Sequence, residues 1–288
     1  MPSFRDSKLK AHNRNPRSAI CNLKFLVSAL CLVTLLACAR VPVTGRRTLN
    51  LISESQINQT SFQQYGNFLK EHQVVTGTAE SRMVADVGGR IQKAVEKYML
   101  ENNLQDKIAG YEWEYNLVAD EQVNAFCMPG GKVVFYQGIM PVCQDENGVA
   151  VVMGHEVAHA IAEHGNERMS QGLIVQFGGA ALSQALAEKP QQAQQLAMAA
   201  FGAGTSVGVL LPYSRLHESE ADHLGLIFMA MAGYNPEGAV AFWKRMAQKS
   251  EGQPKSAEFL STHPADDTRI EQIEELLPDA KQYYKKAE

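Results

Sequence analysis

Residues 149–162 form an almost unbroken apolar run, and inside it stand His155, Glu156 and His159. Burying three polar side chains in such a run is costly unless a partner compensates them. On a helix, positions 155 and 159 are i and i+4 and share one face, so both imidazoles can reach a single cation while Glu156 lies beside it. A bound metal is the compensation this pattern calls for. The chain is therefore expected to fold around a buried, metal-binding helix.

The first forty residues read as a targeting segment. Arg5, Lys8, Lys10, Arg14, Arg17 and Lys24 make a long basic start, and the apolar stretch 25–37 has the length of a signal core, short for a bilayer span. It ends in Leu35-Leu36-Ala37-Cys38, which resembles a bacterial lipobox and marks Cys38 as a lipidation site, with Leu36 where a smaller residue is usual. An uncleaved signal anchor is the alternative. The expectation is a lipoprotein signal peptide over 1–37, a lipidated N terminus and extended tether over 38–51, and one domain over 52–288. That domain would face the periplasm on a lipid anchor, with Ala39 after the cysteine favouring the outer membrane.

About 250 residues remain after this segment, enough for one domain with a sizeable core. A formal net charge of -4 and no basic cluster outside the N-terminal stretch argue against a nucleic-acid partner. Cys127 and Cys143 remain as thiols, and an even pair in an oxidising compartment is a disulfide candidate, with two unrelated buried thiols as the alternative.

Ser53, with Gln56 three residues on, starts a first helix, and Val84, Val87, Ile91, Ala94, Val95 and Tyr98 predict a second over 80–101. Between Tyr111 and Gln137 the period changes to two, with Pro129-Gly130-Gly131 separating two alternating runs. Small apolar residues over 169–211 predict a helical hairpin packed on the metal-binding helix, and further helices follow over 214–231, 236–248 and 264–277. The expected fold class is α+β, a mainly helical domain with a small antiparallel sheet beside the active-site helix.

A catalytic zinc needs three protein ligands and an open position for water, and His-Glu-x-x-His supplies two ligands and a general base, the zincin arrangement. His164 follows His159 by five residues, without the glycine and the six-residue spacing with which metzincins supply a third ligand. The other route is a glutamate on a separate helix, and Glu218, Glu220 and Asp222 lie downstream. Glu218 and Asp222 share a helix face, so one can bind metal while the other holds a ligand imidazole. Helix geometry alone does not separate Glu218 from Glu220.

His155-Glu156-Val157-Ala158-His159, Glu218-x-x-Ala221-Asp222, and Asn124-Ala125-Phe126 ahead of the Pro-Gly-Gly turn together resemble peptidase family M48. This is the family of the HtpX heat-shock and CAAX prenyl proteases, and the closest flavour is its soluble, BepA-like periplasmic lipoprotein branch. The resemblance covers residues 113–270. It implies a gluzincin fold and one zinc held by His155, His159 and Glu218, with Asp222 behind a ligand imidazole and Glu220 in a structural or salt-bridging place. It also implies that Asn124, Ala125 and Phe126 lie on an edge strand that takes extended substrate by β-augmentation, an ordinary turn asparagine being the other reading of Asn124. His263, before Pro264, is either part of a plain helix start or, as the resemblance implies, a histidine that approaches the zinc and keeps the enzyme latent. Arg215 either stabilises an oxyanion or pairs with a carboxylate, and His164, His217 and His223 read as surface or supporting residues. The implied function is a zinc-dependent endopeptidase acting on unfolded or misassembled envelope proteins, with Glu156 as general base. A proteolytically silent chaperone using the same groove and a closed structural zinc site are the rivals.

Overall fold

The computed structural model describes residues 38–206, 211–252 and 258–284, so the expected signal peptide over 1–37 lies outside the described residues. Two short strands, β1 (Cys38–Arg40) and β2 (Arg47–Leu49), pair ahead of α1 (Glu54–Glu71). Ser53 caps α1, its hydroxyl accepting from the Gln56 N–H. The next helix, α2 (Ala79–Glu101), opens with a reciprocal Thr78–Ser81 capping box and buries Val84, Val87, Ile91, Val95 and Tyr98 along one stripe, as the spacing predicts.

A four-stranded sheet has the spatial order β3 (Val74–Val75), β4 (Glu114–Val118), β6 (Lys132–Tyr136), β5 (Ala125–Met128). It is mixed, which corrects the expected antiparallel sheet. β5 and β6 form an antiparallel hairpin through the turn in which Gly130 and Gly131 take positive φ of 83° and 85°. β4 instead runs parallel to β6, from Glu114 opposite Lys132 to Val118 opposite Tyr136. The cause is β5, too short to declare itself by alternation. It takes the hairpin place, and the chain between β4 and β6 becomes the crossover that a parallel pair requires. β5 is left at the sheet edge.

The core is organised by α3 (Glu146–Ile161), buried at every position from Gly148 to Ile161 and capped by Asp145, whose carboxylate accepts the Gly148 N–H at 2.8 Å. After it come α4 (His164–Ala185), α5 (Gln191–Thr205), α6 (Leu211–Met231), α7 (Gly238–Gly252) and α8 (Asp267–Tyr283). α3 packs backbone to backbone against α6. A Cβ on Gly154 would stand 2.7 Å from the Gly225 carbonyl oxygen, and one on Gly225 would stand 2.8 Å from the His155 nitrogen. Two glycines thus let the backbones touch beside the first histidine of the motif.

Several expectations are corrected by the packing. The α4–α5 hairpin meets through Gly178 and Gly179 against Phe201, but it leaves Phe177 and Leu196 70% and 74% exposed, so it does not cover α3 along its length. Burial is concentrated at its base, where His164, Asn166, Glu167, Ser170 and Gln171 are enclosed. No helix among the described residues is long and apolar enough to cross a membrane. The last helix starts behind Asp266, whose carboxylate accepts from the Arg269 N–H, so Pro264 is not its first residue. The segment expected as an extended tether lies against the domain: Val41 and Thr48 are buried, and the Leu51 N–H donates to Ser170. Cys127 and Cys143 are free thiols rather than a disulfide. Cys127 sits on the edge strand with its thiol toward the Met128 carbonyl, whereas Cys143 ends a short helical turn whose carbonyls receive Arg245. Burial pushes both thiols well above their ordinary range.

Candidate active site

The α3–α6 contact brings His155, His159 and Glu218 to one point. His155 Nε2 lies 3.1 Å from His159 Nε2, and each is 3.4 Å from a Glu218 carboxylate oxygen. Ligand atoms bound tetrahedrally at about 2.0–2.1 Å stand about 3.3 Å apart, close to the 3.1 Å between the two ring nitrogens, and the Glu218 carboxylate straddles that pair with one oxygen toward each ring. His263 joins them, its Nδ1 2.8 Å from Glu218 and 3.1 Å from His155 Nε2. The four donor atoms lie within 4.8 Å of one another, all on buried residues.

The remaining ring nitrogens say which way the lone pairs face. His155 Nδ1 is 3.0 Å from Asp222, an acceptor, so its proton sits there and Nε2 is left as a ligand atom. Asp222 is in turn gripped by Arg269, both nitrogens at 2.8 Å, and the guanidinium lies 3.6 Å over the Trp243 ring and 3.2 Å from Glu218. Burial works against charge on His155, but its hydrogen bonds to Asp222 and Glu218 outweigh it and raise the ring to about 9, so a cation binding at Nε2 must displace a proton from it. His159 has no carboxylate on Nδ1; that nitrogen is 2.9 Å from His164 Nδ1, and burial holds His159 well below the ordinary histidine range.

Glu156 is buried, and its Oε1 has no hydrogen-bond partner among the described residues. Burial raises its pKa, the direction a base working near neutral pH needs. A buried carboxylate with one oxygen left without a hydrogen bond beside the cluster has no purpose in a closed structural metal site and fits an open one. His263 Nε2 stands 3.6 Å from it, so the His263 ring sits between Glu156 and the cluster.

Asn124, Ala125 and Phe126 line one cleft with Glu156, His159 and His263. The Asn124 side chain accepts from the Ala125 N–H, and its carbonyl accepts from Tyr136. This cleft shares Phe126, Cys127, His159 and Arg168 with a cavity of about 300 Å³ walled by Ile57, Tyr111, Met128 and Ala160. Arg215 is exposed and does not line the Glu156 cleft; it lines a second cavity together with Glu218, Asp222 and Arg269. His223 pairs with Asp279 at 2.7 Å, near the surface.

Sequence reasoning missed Arg269, whose contacts run through tertiary structure alone, and it left His164 and His217 between surface and supporting places, of which the structure shows the second. Both are fully buried, stacked with ring centroids 4.1 Å apart, and they contact Glu220 and Glu167 respectively. No local signal marks them, since the apolar run ends at Ala162 and residues 163–171 are mostly polar.

Comparison with known proteins agrees with this geometry. The model of Peptidase family M48 matches residues 87–277. The chain belongs to peptidase family M48. Among similar members, the mitochondrial metalloendopeptidase OMA1 of Schizosaccharomyces pombe is 32% identical over 83% of this chain and 66% of its own length. OMA1 of Saccharomyces cerevisiae is 34% identical over 69% of this chain and 56% of its own. The beta-barrel assembly-enhancing protease of Escherichia coli is 27% identical over 55% of this chain and 33% of its own. The chain thus spans about half to two thirds of the OMA1 relatives from these two yeasts. These relatives overturn the expected periplasmic, outer-membrane location, since the longer and more similar matches are mitochondrial proteins by name. The physical reason is that a basic, acid-poor start with an apolar stretch is shared by bacterial signal peptides and organellar presequences, so it does not choose a compartment.

Proposed function

We propose that this M48 member is a zinc-dependent metalloendopeptidase that cleaves extended stretches of unfolded or misassembled polypeptide. The observation that carries the reading is the meeting of His155 Nε2 and His159 Nε2, 3.1 Å apart, with a Glu218 oxygen 3.4 Å from each, beside a buried Glu156 whose Oε1 has no hydrogen-bond partner among the described residues. His155, His159 and Glu218 would hold one zinc, and Asp222 would orient His155. A zinc held there supplies Lewis-acid polarisation of a scissile carbonyl and lowers the pKa of water toward neutrality. Glu156 takes the water proton and delivers it to the leaving amine, a role its raised pKa favours.

β5 supports the substrate class. As an edge strand beside Glu156, it offers unpaired backbone groups to an extended peptide, and such pairing reads backbone more than side chains. The neighbouring cavity of about 300 Å³, with Ile57, Tyr111 and Met128 in its wall, is suited to a large apolar side chain of that peptide. This reading assigns no oxyanion role to Arg215. Residues 1–37 remain a targeting segment and Cys38 a candidate lipidation site, which the mass of the mature N terminus tests directly.

A latent resting form is the second reading, and His263 favours it. Its ring occupies the space between Glu156 and the three donors, where substrate and water have to enter. The zinc reading is tested by metal content and casein cleavage of the purified chain: one zinc per chain, chelator-sensitive cleavage restored by zinc, and loss of zinc in His155→Ala and Glu218→Ala. A folded wild type that takes up no zinc overturns it.

A further inference from the structure

His155 and His159 are supported differently. His155 rests directly on a carboxylate, Asp222, whereas His159 reaches one through a second imidazole. His164 Nε2 is 3.2 Å from Glu220 Oε2. Glu220 already accepts the Thr44 hydroxyl at 2.6 Å on Oε1 and Arg46 Nε at 2.8 Å on Oε2, so it is an acceptor toward His164 as well. The His164 proton therefore sits on Nε2, and its Nδ1 has just a lone pair to offer. His159 must then donate from Nδ1, which leaves the His159 Nε2 lone pair facing His155 and Glu218.

The donors to Glu220 come from the strap between β1 and β2, 174 and 176 positions away in the chain. Arg46 also forks onto Glu167 at 2.9 and 2.7 Å, and Glu167 accepts from His217, the ring stacked on His164. The strap, α4 and α6 thus meet in one buried polar network that ends on His159.

We propose that His164 and Glu220 are positioning residues that fix the tautomer of His159, and that Thr44 and Arg46 of the N-terminal strap aim Glu220 for that task. The strap is then part of the metal site's support rather than a tether. This inference rests on the zinc reading above, and the two can fail separately: a wild type without zinc fails that reading, whereas normal zinc binding by the variants below fails this one.

The test is zinc affinity of the full chain by chelator competition, with the His159 ring protons followed by nitrogen-resolved NMR. His164→Phe, which removes the acceptor, is expected to weaken zinc about 10- to 100-fold, the usual effect of losing a partner behind a ligand. His164→Asn puts an amide oxygen close to where Nδ1 lies, so it is expected to restore most of that affinity although it cannot reach Glu220. A purely structural role would leave Asn as poor as Phe. Glu220→Gln is expected to weaken zinc in the wild-type background and to have no effect beside His164→Asn, a non-additivity that two independent sites would not give. Thr44→Val, at the partly buried strap, carries the test if the buried variants do not fold, with a several-fold loss expected. Wild-type affinity in folded His164→Phe or Thr44→Val, equal losses in Asn and Phe, or additive effects of Glu220→Gln would each overturn the proposal.

Discussion

Replacing His263 by alanine is expected to raise proteolysis, and the geometry sets the size of the effect. The ring is held over the cluster chiefly by one hydrogen bond, Nδ1 to Glu218 at 2.8 Å, with Phe259 at 4.6 Å between ring centroids beside it. A hydrogen bond to a charged group contributes about 1.5–3 kcal/mol, which corresponds to an open fraction of about one in ten to one in a hundred. Apparent activity scales with the competent fraction, so removing the ring should raise kcat/KM about 10- to 100-fold. The assay is the initial rate on a fluorogenic, unstructured peptide at matched zinc occupancy. His263→Gln, which keeps a donor on a floppier side chain, should fall between alanine and wild type. An unchanged or lower rate in His263→Ala at equal zinc would refute the reasoning, because the ring would then assist turnover or stand elsewhere in solution.

Three further outcomes follow from other parts of the molecule. Gly225→Ala forces a Cβ to within 2.8 Å of the His155 nitrogen, so the α3–α6 contact must open; overpacking of this kind costs about 1–3 kcal/mol and should lower both the melting temperature and zinc content, and an unaltered melt would contradict the close approach. Asp222→Ala removes the acceptor behind His155 and strands Arg269, and should weaken zinc about 10- to 100-fold in a chelator titration, with undiminished affinity counting against Asp222 as the orienting group. Glu167 and Glu220 are each held at about 2 against an ordinary 4.5, since burial, which would raise them, is outweighed by hydrogen bonds to His217 and His164 and to Arg46. Their contribution is complete above pH 4.5 and disappears as pH falls through about 2, so hydrogen exchange over 41–51 should stay slow at pH 4 and speed up near 2; release already at pH 4 would contradict it.

What the sequence made legible was the chemistry that is local along the chain. The helical pairing of His155 with His159, the adjacency of Glu156 and the stripe of α2 depend on spacing alone, and the structure reproduces them. The choice between Glu218 and Glu220 depends instead on how α6 crosses α3, which Gly154 and Gly225 set by backbone contact. No helical wheel contains that information. Arg269, the His164–Glu220 pair and the Arg46 fork are long-range polar contacts, and each partner taken alone looks like an ordinary charged residue. The family resemblance marks 124–126 as an edge strand, but four residues beside a Pro-Gly-Gly turn carry too little alternation to show that this strand, and not β4, is the hairpin partner of β6, so a mixed sheet read as an antiparallel one. The thiol pair failed for a related reason, since parity of cysteines says nothing about the distance between their elements.

The most direct test of the account is Glu156→Gln in the purified chain, with zinc content and casein cleavage measured beside wild type. Glu156 is not among the residues whose donor atoms converge, and its Oε1 has no hydrogen-bond partner among the described residues, so the amide should leave the metal in place. The account predicts equal zinc in both proteins and cleavage by the wild type alone. Cleavage by Glu156→Gln at the wild-type rate with zinc retained would contradict it.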